Sequence, residues 1–281
     1  MRIAITGAAG MLGQAAVPAF ERAGHQVLGL DRSRADVTKL GSLREACRDF
    51  RPQWIVHLAA FTRVDDCESN ADLAFLVNGV GAGNAAQVAA EHAAGVVAIS
   101  SDYVFDGRAD APYREWDATA PRSVYGASKR AGEQAVRHLN PRHVVVRTSW
   151  LFGHGGPNFV DTMLRKARAG DALKVVDDQR GSPTYTVDLA DALTRLVAAG
   201  ACGTAQVTNR GDCTWYGFAR YFLDRAGLAG GLGPTDSAAF VRPAPRPAYS
   251  VMSPLWYEHV TGARMPDWQD AVDRYLDEVA Q

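Results

Sequence analysis

The chain has 281 residues, 47% of them hydrophobic, and its 30 basic and 31 acidic residues leave a formal net charge of −1. This length is enough to bury a sizeable core, as one large α/β domain or as a main domain with a smaller lobe. The near-zero net charge excludes a strong field that would draw the protein to nucleic acid or to a membrane surface. A small-molecule partner is therefore expected.

The cysteines indicate reduced, structural thiols, because Cys47, Cys67, Cys202 and Cys213 are widely scattered and form no C-x-x-C pair. No His stands at metal-ligand spacing from them, so the sequence indicates no metal site. A strand-like segment from residue 2 runs directly into a glycine turn, and we expect no apolar run to reach membrane-spanning length. We therefore expect a cytoplasmic protein with no signal peptide and no membrane or nucleic-acid partner.

Short apolar runs rich in β-branched residues alternate with helix-like stretches through the first 150 residues. The runs lack polar alternation, which is typical of strands buried on both faces. The predicted strands are 3–5, 27–30, 54–58, 96–99 and 144–146, and the predicted helices are 12–23, 40–50, 71–93 and 128–139. This order predicts an α/β fold with a Rossmann-like, doubly wound parallel sheet.

The pattern is less regular after Trp150. It predicts helices over 159–169, 187–199 and 215–226, a short strand over 173–176, and a Pro-rich stretch over 242–247. We therefore expect residues 1–150 to bind a dinucleotide. Residues 151–281 should form mainly a smaller substrate-binding lobe, with some segments returning to the main sheet.

A glycine turn follows the first predicted strand, with Gly7, Gly10 and Gly13 spaced by two residues and Met11-Leu12 opening the helix. Glycines between a strand and a helix let the backbone turn sharply and approach a pyrophosphate, which then lies at the positive end of the helix. We predict that this turn binds NADH or NADPH.

The end of the second strand carries opposing signals for coenzyme choice. Asp31 is placed to accept hydrogen bonds from the adenosine ribose and so favours NADH. Arg32 beside it is suited to a 2′-phosphate and favours NADPH, unless it is simply a solvated surface charge. Use of either coenzyme stays open.

Further residues are expected along the coenzyme. Asp36 and Val37 are predicted to lie beside the adenine, and Leu58-Ala59-Ala60 ends the third strand with small side chains that allow a close approach. Asn78, on the following helix, is a further candidate contact, although taken alone it is more typical of a structural residue.

A reaction centre is predicted from three residues. Ser101 follows the strand over 96–99, so it should lie at the carboxyl edge of the sheet, where open α/β folds bind ligands and where it can hydrogen-bond a substrate carbonyl. Tyr125 and Lys129 are four residues apart and share one helix face. The ammonium should lower the pKa of the phenol and ease proton exchange with an alcohol or ketone.

With these motifs in place, the chain resembles the extended short-chain dehydrogenase/reductase family and, within it, the dTDP-4-dehydrorhamnose reductases. The resemblance covers nearly the full length. The similar blocks are residues 101–107, the Tyr125/Lys129 pair, and residues 147–153, 178–184 and 246–250. Met11 and Met252 depart from residues usual in these reductases, and the tail after Ser253 matches no block.

The resemblance implies reduction of a dTDP-4-keto-6-deoxyhexose, with hydride delivered to C4 and a proton donated by Tyr125. The expected product is dTDP-L-rhamnose. Lys129 would also hold the nicotinamide ribose, and Ser101 would orient the ketone. The resemblance implies that Val104, Phe105 and Trp150 line the sugar site and that Arg246 meets the pyrophosphate. It also suggests a homodimer and a bound Mg²⁺, although no acidic cluster here matches a Mg²⁺ site.

Two alternatives remain. One is another nucleotide-sugar reductase, epimerase or 4,6-dehydratase on the same scaffold, although a dehydratase usually carries an Asp-Glu dyad and here Tyr103 follows Asp102. The other is a non-catalytic nucleotide-binding subunit, like the regulatory subunit of methionine adenosyltransferase. Intact Ser101, Tyr125 and Lys129 favour an enzyme.

Overall fold

A computed structural model describes residues 1–279 and places a six-stranded parallel sheet at the centre of the molecule. In chain order the strands are β1 (Arg2–Thr6), β2 (Gln26–Leu30), β3 (Trp54–His57), β4 (Gly95–Ser101), β5 (His143–Thr148), β6 (Leu151–Phe152), β7 (Leu173–Val176), β8 (Arg180–Gly181), β9 (Thr184–Tyr185), β10 (Gly203–Gln206), β11 (Cys213–Thr214) and β12 (Leu232–Thr235). The sheet order is β10-β5-β4-β3-β1-β2. The predicted α/β, doubly wound parallel sheet is confirmed.

Eleven α-helices lie within the described residues. They are α1 (Met11–Arg22), α2 (Leu40–Cys47), α3 (Val64–Ser69), α4 (Ala71–Ala74), α5 (Gly81–Glu91), α6 (Val124–Leu139), α7 (Phe159–Arg168), α8 (Thr186–Ala198), α9 (Trp215–Arg225), α10 (Leu255–Thr261) and α11 (Trp268–Val279). A π-helical turn, Phe75–Val80, joins α4 to α5, and a 3₁₀ turn, Asp102–Val104, directly follows β4.

The sheet is covered on both faces, which explains why its strands read as unbroken apolar runs. One core contains α1 and α8, with Phe20 and Leu193 packed on side chains such as Ile5. The other contains α2, α5 and α6, with Leu43 and Val88 packed on the opposite face. Both layers leave the carboxyl edge of the sheet free for the loops that follow β1, β3 and β4.

Residues after Trp150 divide between two regions. Strand β10 pairs with β5 in the main sheet, and α8 packs on α1, so this part of the chain completes the central layer. A separate aromatic core joins α7, α9 and α11 around Phe152, Phe218 and Tyr275. Three small two-stranded sheets, β6 with β9, β7 with β12, and β8 with β11, border that core.

The structure differs from the sequence-based boundaries in two places that matter for the site. Helix α6 begins at Val124 rather than at residue 128, because the Ser123 hydroxyl accepts a hydrogen bond from Gly126 N (3.1 Å) and caps the helix. The predicted helix over 71–93 contains the π-helical turn, a local widening that often marks functional sites.

The segment Ala71–Glu91 is also an exception to the expectation that no apolar run reaches membrane-spanning length. By length and composition it is long and apolar enough to cross a membrane. More than half of it is buried inside the protein, against the sheet and α6, as in the core helix of a globular protein.

The packing of α6 on the π-helical turn depends on Gly132, because a Cβ there would overlap the Asn78 carbonyl oxygen. We expect Gly132→Ala to lower the free energy of unfolding by about 2 kcal/mol, since an overpacked contact against backbone has little room to relax. Thermal and urea unfolding will measure this change.

The matched control is Gly41→Ala in α2, where an added Cβ meets nothing within 4 Å. That change should stabilise the protein by up to about 1 kcal/mol, because alanine favours the helix over glycine. Equal effects of the two substitutions would contradict the role given to Gly132.

Candidate active site

The glycine turn fits a dinucleotide phosphate. Gly7 has φ +70°, and a Cβ on it would lie 2.7 Å from Ala59 N, so no side chain fits between the loops after β1 and β3. A Cβ on Gly13 would overlap the backbone of Gly7 and Ala8, which lets α1 start close behind the turn. No side chain caps α1, so its first backbone N–H groups, from Met11 and Leu12 onward, are available to an anion.

The residues at the end of β2 form a compact turn. Asp31 Oδ1 accepts hydrogen bonds from Ser33 N, Ser33 Oγ and Arg34 N at 2.6–3.0 Å. The Ser33 hydroxyl is the main reason that the pKa of Asp31 lies below its usual value. The carboxyl group therefore stays charged and well placed, with Oδ2 outside these three hydrogen bonds. Arg32 is exposed beside it.

The next predicted contacts lie along the same edge. Asp36 Oδ1 accepts from Thr38 N and Thr38 Oγ1, which closes a turn. Val37 is buried against Gly81, and its carbonyl accepts from Asn84 Nδ2 (2.9 Å). The loop after β3 begins with Leu58 N donating to Thr6 O, which keeps Ala59 and Ala60 close to the glycine turn.

The Asn78 side chain hydrogen-bonds two separate segments of the chain, the loop after β3 and helix α6. Its Oδ1 accepts from Phe61 N (2.8 Å), and its Nδ2 donates to Phe61 O (3.0 Å) and Ser128 Oγ (3.0 Å). The side chain is 2% exposed. These protein partners occupy the Asn78 amide and join the loop after β3 to the helix that carries Lys129, which matches the structural role that the sequence also left open.

Ser101, Tyr125 and Lys129 meet at the carboxyl edge of the sheet. Ser101 ends β4, and its hydroxyl lies close enough to the Tyr125 phenol to favour the ionised form of that phenol. Tyr125 lies in the first turn of α6, with its ring edge-on to Tyr103 at 5.4 Å between centroids. A Cβ on Gly126 would overlap the Tyr103 carbonyl oxygen, so glycine is what lets this turn of α6 approach the 3₁₀ turn.

Burial controls the protonation of this group. It raises the pKa of Tyr125 well above its usual range, despite the opposing effect of the nearby Ser101 hydroxyl. It also lowers the pKa of Lys129 to about 8, with Glu133 opposing this shift. We expected Lys129 to lower the pKa of Tyr125, but in the protein without coenzyme this pKa is raised. Desolvation outweighs the effects of charges and hydrogen bonds on the pKa values of both groups.

A buried ion pair anchors the helix below Lys129. Glu133 accepts from Arg147 Nε and Nη2 (both 2.9 Å) and from Ser100 Oγ (2.6 Å). Glu133 and Arg147 are 3% and 2% exposed. The pair ties α6 to β4 and β5, and removing one partner would leave an uncompensated buried charge.

A small cleft opens on the substrate side, lined by residues that include Tyr103, Phe105, Arg122 and Arg246. Arg246 Nη2 lies 2.9 Å from Asp65 Oδ2, so a carboxylate holds the guanidinium in place. Arg246 lines the same cleft as Tyr103, and its positive charge opposes the rise in the pKa of Tyr103 that burial causes.

The other predicted sugar contacts differ in exposure. Phe105 lines the cleft and stacks on Tyr113 (4.1 Å). Val104 is fully buried in the core beside it, so its side chain packs rather than faces the cleft. Trp150 has φ +49° and stacks on Trp215 (3.7 Å), and it therefore packs at the edge of the aromatic core around Phe152, Phe218 and Tyr275.

The four cysteines are free thiols, as expected, with Cys67 packed against Tyr125. Among residues 1–279, no group of three or more His, Cys, Asp or Glu side chains could hold a metal ion. Four further residues help to build this site and were not predicted from the sequence as site residues: Asp102, Glu133, Gly126 and Gly132. Only Gly126 had a signal there, as the residue between Tyr125 and the rest of the motif.

This arrangement, with a glycine turn and a buried Ser, Tyr and Lys at one sheet edge, is that of a short-chain dehydrogenase/reductase. The whole chain, residues 1–281, matches the family described as the RmlD substrate binding domain, and it belongs to that family. Both findings confirm the class of enzyme predicted from the sequence.

Three relatives illustrate the similarity. The chain is 45% identical to a dTDP-4-dehydrorhamnose reductase of Streptomyces griseus over 255 residues, which cover 88% of this chain and 84% of that protein. The crystal structure of a Clostridium acetobutylicum dTDP-4-dehydrorhamnose reductase matches with a TM-score of 0.96 and 37% identity, covering 100% of both chains. The Bacillus anthracis reductase in complex with NADP matches with a TM-score of 0.95 and 37% identity, covering 99% of both chains.

His57 provides a test of the burial around Lys129. It ends β3, is 2% exposed and is hydrogen-bonded to Thr6 Oγ1 (2.9 Å). Burial, aided by Lys129, lowers the pKa of His57 to about 3. Between pH 6.5 and 3, only the unfolded chain binds a proton at this residue, so the free energy of unfolding should fall as the pH drops.

We expect His57→Gln to lose less stability on acidification than the unmodified protein, by about 1.4 kcal/mol per pH unit between pH 6 and 4. Urea unfolding across this range will measure it. His138→Gln, on the exposed face of α6, is the control for loss of an imidazole. Parallel stability curves for the unmodified protein and His57→Gln would show that His57 is not held neutral.

Proposed function

We propose that this chain catalyses the NAD(P)H-dependent reduction of the C4 ketone of a dTDP-4-keto-6-deoxyhexose, converting dTDP-4-dehydrorhamnose to dTDP-L-rhamnose. The observation that carries the proposal is the buried phenol of Tyr125, which lies beside Ser101 and one helical turn from Lys129. The names of the three relatives support the substrate and the reduced coenzyme.

The coenzyme, when bound, supplies a hydride to C4 of the sugar. Tyr125 donates its proton to the oxygen that becomes the new hydroxyl, and Ser101 donates a hydrogen bond that orients this oxygen. Lys129 binds the nicotinamide ribose and, as a cation, stabilises the phenolate that remains. A phenol whose pKa is raised keeps its proton until the ketone oxygen receives it, which suits reduction.

The coenzyme is held by the edge formed after β1, β2 and β3. Backbone N–H groups from Met11 to Gly13 bind the pyrophosphate at the start of α1. Asp31 accepts from the adenosine ribose, and Arg32 is free to turn toward a 2′-phosphate, so both NADH and NADPH are accommodated. Val37 and Ala59 border the adenine and the remainder of the coenzyme.

The nucleotide sugar is held from the second lobe. Arg246 binds the diphosphate, because a guanidinium forms paired hydrogen bonds with phosphate oxygens. Phe105 and Trp150 border the sugar, and the small cleft beside Tyr103 receives it. Residues 1–150, completed by α8 and β10, form the dinucleotide-binding part, and most of the remaining residues form the substrate lobe.

The rival functions predict different chemistry. A dehydratase needs an Asp-Glu acid/base dyad, and here Tyr103 takes the second place. An epimerase or dehydratase regenerates its own NAD, whereas a reductase consumes external NAD(P)H. A non-catalytic subunit would not need Tyr125 and Ser101 buried next to each other at the sheet edge. We also propose a cytoplasmic enzyme and, from the resemblance alone, a homodimer.

The proposal is tested by supplying dTDP-4-keto-6-deoxy-L-mannose with NADPH or NADH and following loss of the reduced-nicotinamide absorbance. We expect oxidation with at least one coenzyme and formation of dTDP-L-rhamnose. Coenzyme binding without oxidation over a panel of 4-keto sugars would favour the non-catalytic subunit.

Tyr125→Phe should bind NADPH almost normally and lose turnover by about 100-fold or more, because only the proton-donating hydroxyl is removed. Coenzyme titration and kcat separate the two effects. Tyr113→Phe is the matched control, since its hydroxyl bonds Asp106 (2.6 Å) and Arg108 N (2.9 Å) instead. Equal turnover in Tyr125→Phe and the unmodified enzyme would refute the assigned proton donor.

Arg32→Ala should raise KM for NADPH by about tenfold, equivalent to about 1.4 kcal/mol, and leave KM for NADH nearly unchanged. The reason is that only NADPH offers a 2′-phosphate to the guanidinium. The ratio of the two KM values is the measurement, with exposed Arg48→Ala as the control. An unchanged ratio would identify Arg32 as a solvated surface charge.

A further inference from the structure

The Ser101 hydroxyl carries one proton, and two acceptors require it. A serine hydroxyl donates one hydrogen bond and accepts up to two. In the structure Ser101 Oγ donates to Asp102 Oδ1 (2.8 Å) and accepts from Tyr103 N (3.3 Å). The role proposed above requires the same proton for the substrate ketone. A carboxylate at Asp102 is therefore a direct competitor of the substrate for this hydrogen bond.

The surroundings of Asp102 are unusual for a carboxylate. The residue is 2% exposed, and among the described residues its Oδ2 has no hydrogen-bond partner. Ser250 Oγ lies close enough to favour the charged form, although neither it nor Asp102 Oδ2 completes a hydrogen bond of normal geometry. Thr148, paired with Ser101 across β4 and β5, also has an unpartnered hydroxyl.

A buried carboxyl group with one unpartnered oxygen is poorly stabilised as an anion. Burial raises the pKa of Asp102 to about 6, against smaller opposing effects from Ser250 and Ser101. When protonated, Asp102 needs no hydrogen bond from Ser101 and can instead donate one to it. The Ser101 proton is then released to point toward the ketone.

We propose that Asp102 is a positioning residue that sets the direction of the Ser101 O–H bond, so that Ser101 donates to the substrate ketone only when Asp102 carries a proton. The inference rests on the proposed function and names a regulator of the same site. Asp102 keeps its proton throughout turnover, so the reaction itself remains one hydride and one proton transferred to the ketone.

A second effect acts in the same direction. The Asp102 carboxylate also raises the pKa of Tyr125 by repulsion. As Tyr125 gives up its proton, a negative charge develops on the phenol oxygen, and a charged Asp102 disfavours it. A neutral Asp102 removes this repulsion and frees the Ser101 proton at the same time.

The neighbouring titratable groups leave a clear pH window for Asp102. The groups that face this site directly or through the two tyrosines are Tyr103, Tyr125, Cys67, Lys129, Arg246 and Asp65. The pKa values of Tyr103, Tyr125 and Cys67 are raised, so these groups are neutral near pH 6. That of Lys129 is about 8. Between pH 5 and 7, Asp102 is the group expected to change its charge, because Lys129 is still largely protonated at pH 7.

The experiment compares kcat of the unmodified enzyme with that of Asp102→Asn between pH 5 and 7. Asparagine keeps the shape of the side chain and cannot become negative. We expect kcat of the unmodified enzyme, divided by kcat of the variant, to fall by about tenfold or more as the pH rises. Asp110→Asn, which removes an exposed carboxylate from the segment after Phe105, should show a constant ratio.

A second measurement reads Asp102 directly, without turnover. In protein labelled with ¹³C at the aspartate carboxyl groups, one resonance should titrate near pH 6 and be absent from Asp102→Asn. Thermal unfolding and NADPH titration establish that the variant folds and binds coenzyme.

The possible results distinguish failure of this inference from failure of the proposed function. A falling kcat ratio and a carboxyl titration near pH 6 support the inference. If the enzyme is active and the kcat ratio is constant with pH, the inference about Asp102 is wrong and the proposed function stands, since a structural defect would lower kcat equally at every pH. Titration of Asp102 below pH 4 also overturns the inference about Asp102. Lack of any turnover by the unmodified enzyme overturns the proposed function and this inference with it.

Discussion

The close approach of α6 to two neighbouring backbone segments is the constraint on which the rest of the site depends. Gly126 admits the Tyr103 carbonyl of the 3₁₀ turn, and Gly132 admits the Asn78 carbonyl of the π-helical turn. Any side chain at either position would push the helix outward. Since Tyr125 and Lys129 occupy the same helix, these two contacts fix how deeply the phenol and the ammonium lie below the surface.

That depth determines the electrostatics of the site. Desolvation raises the pKa of Tyr125 and lowers that of Lys129, so burial favours the neutral form of each. The Glu133–Arg147 pair keeps the same helix from relaxing away from β4 and β5. Since Glu133 favours the charged form of Lys129, the anchor of the helix also helps to retain the cation beside the coenzyme site.

The sequence predicted the elements whose signals are local and could not predict contacts between distant segments. Buried strands, the glycine turn and the Tyr125/Lys129 spacing are local patterns, and the structure shows all six predicted strands to within two residues at each end. Strand β10 joins the main sheet by pairing with β5, and no local sequence pattern indicates this pairing between distant segments. The start of α6 was placed too late because the Ser123 cap was not recognised.

Side-chain roles were harder to predict for the same reason. Asn78 was expected at the coenzyme, yet its amide joins Phe61 to Ser128, and these partners lie 17 and 50 positions away in the chain. Val104 was expected beside the sugar, yet it points into a core that includes Tyr113 and Met252. Lys129 was expected to acidify Tyr125 by charge alone, and only the three-dimensional structure reveals how strongly both groups are desolvated.

The direction of the chemistry follows from which form of each group the fold favours. A phenol that must act as a base has to lose its proton before the substrate reacts, and burial makes that loss costly. A phenol that acts as an acid needs only to hold its proton until an alkoxide forms next to it, and burial assists this. Because Asp102 and Tyr125 share one buried region, a negative charge on either raises the cost of a charge on the other. The fold thus disfavours a negative charge on Tyr125 before the reaction, so that this charge appears only as the ketone is reduced.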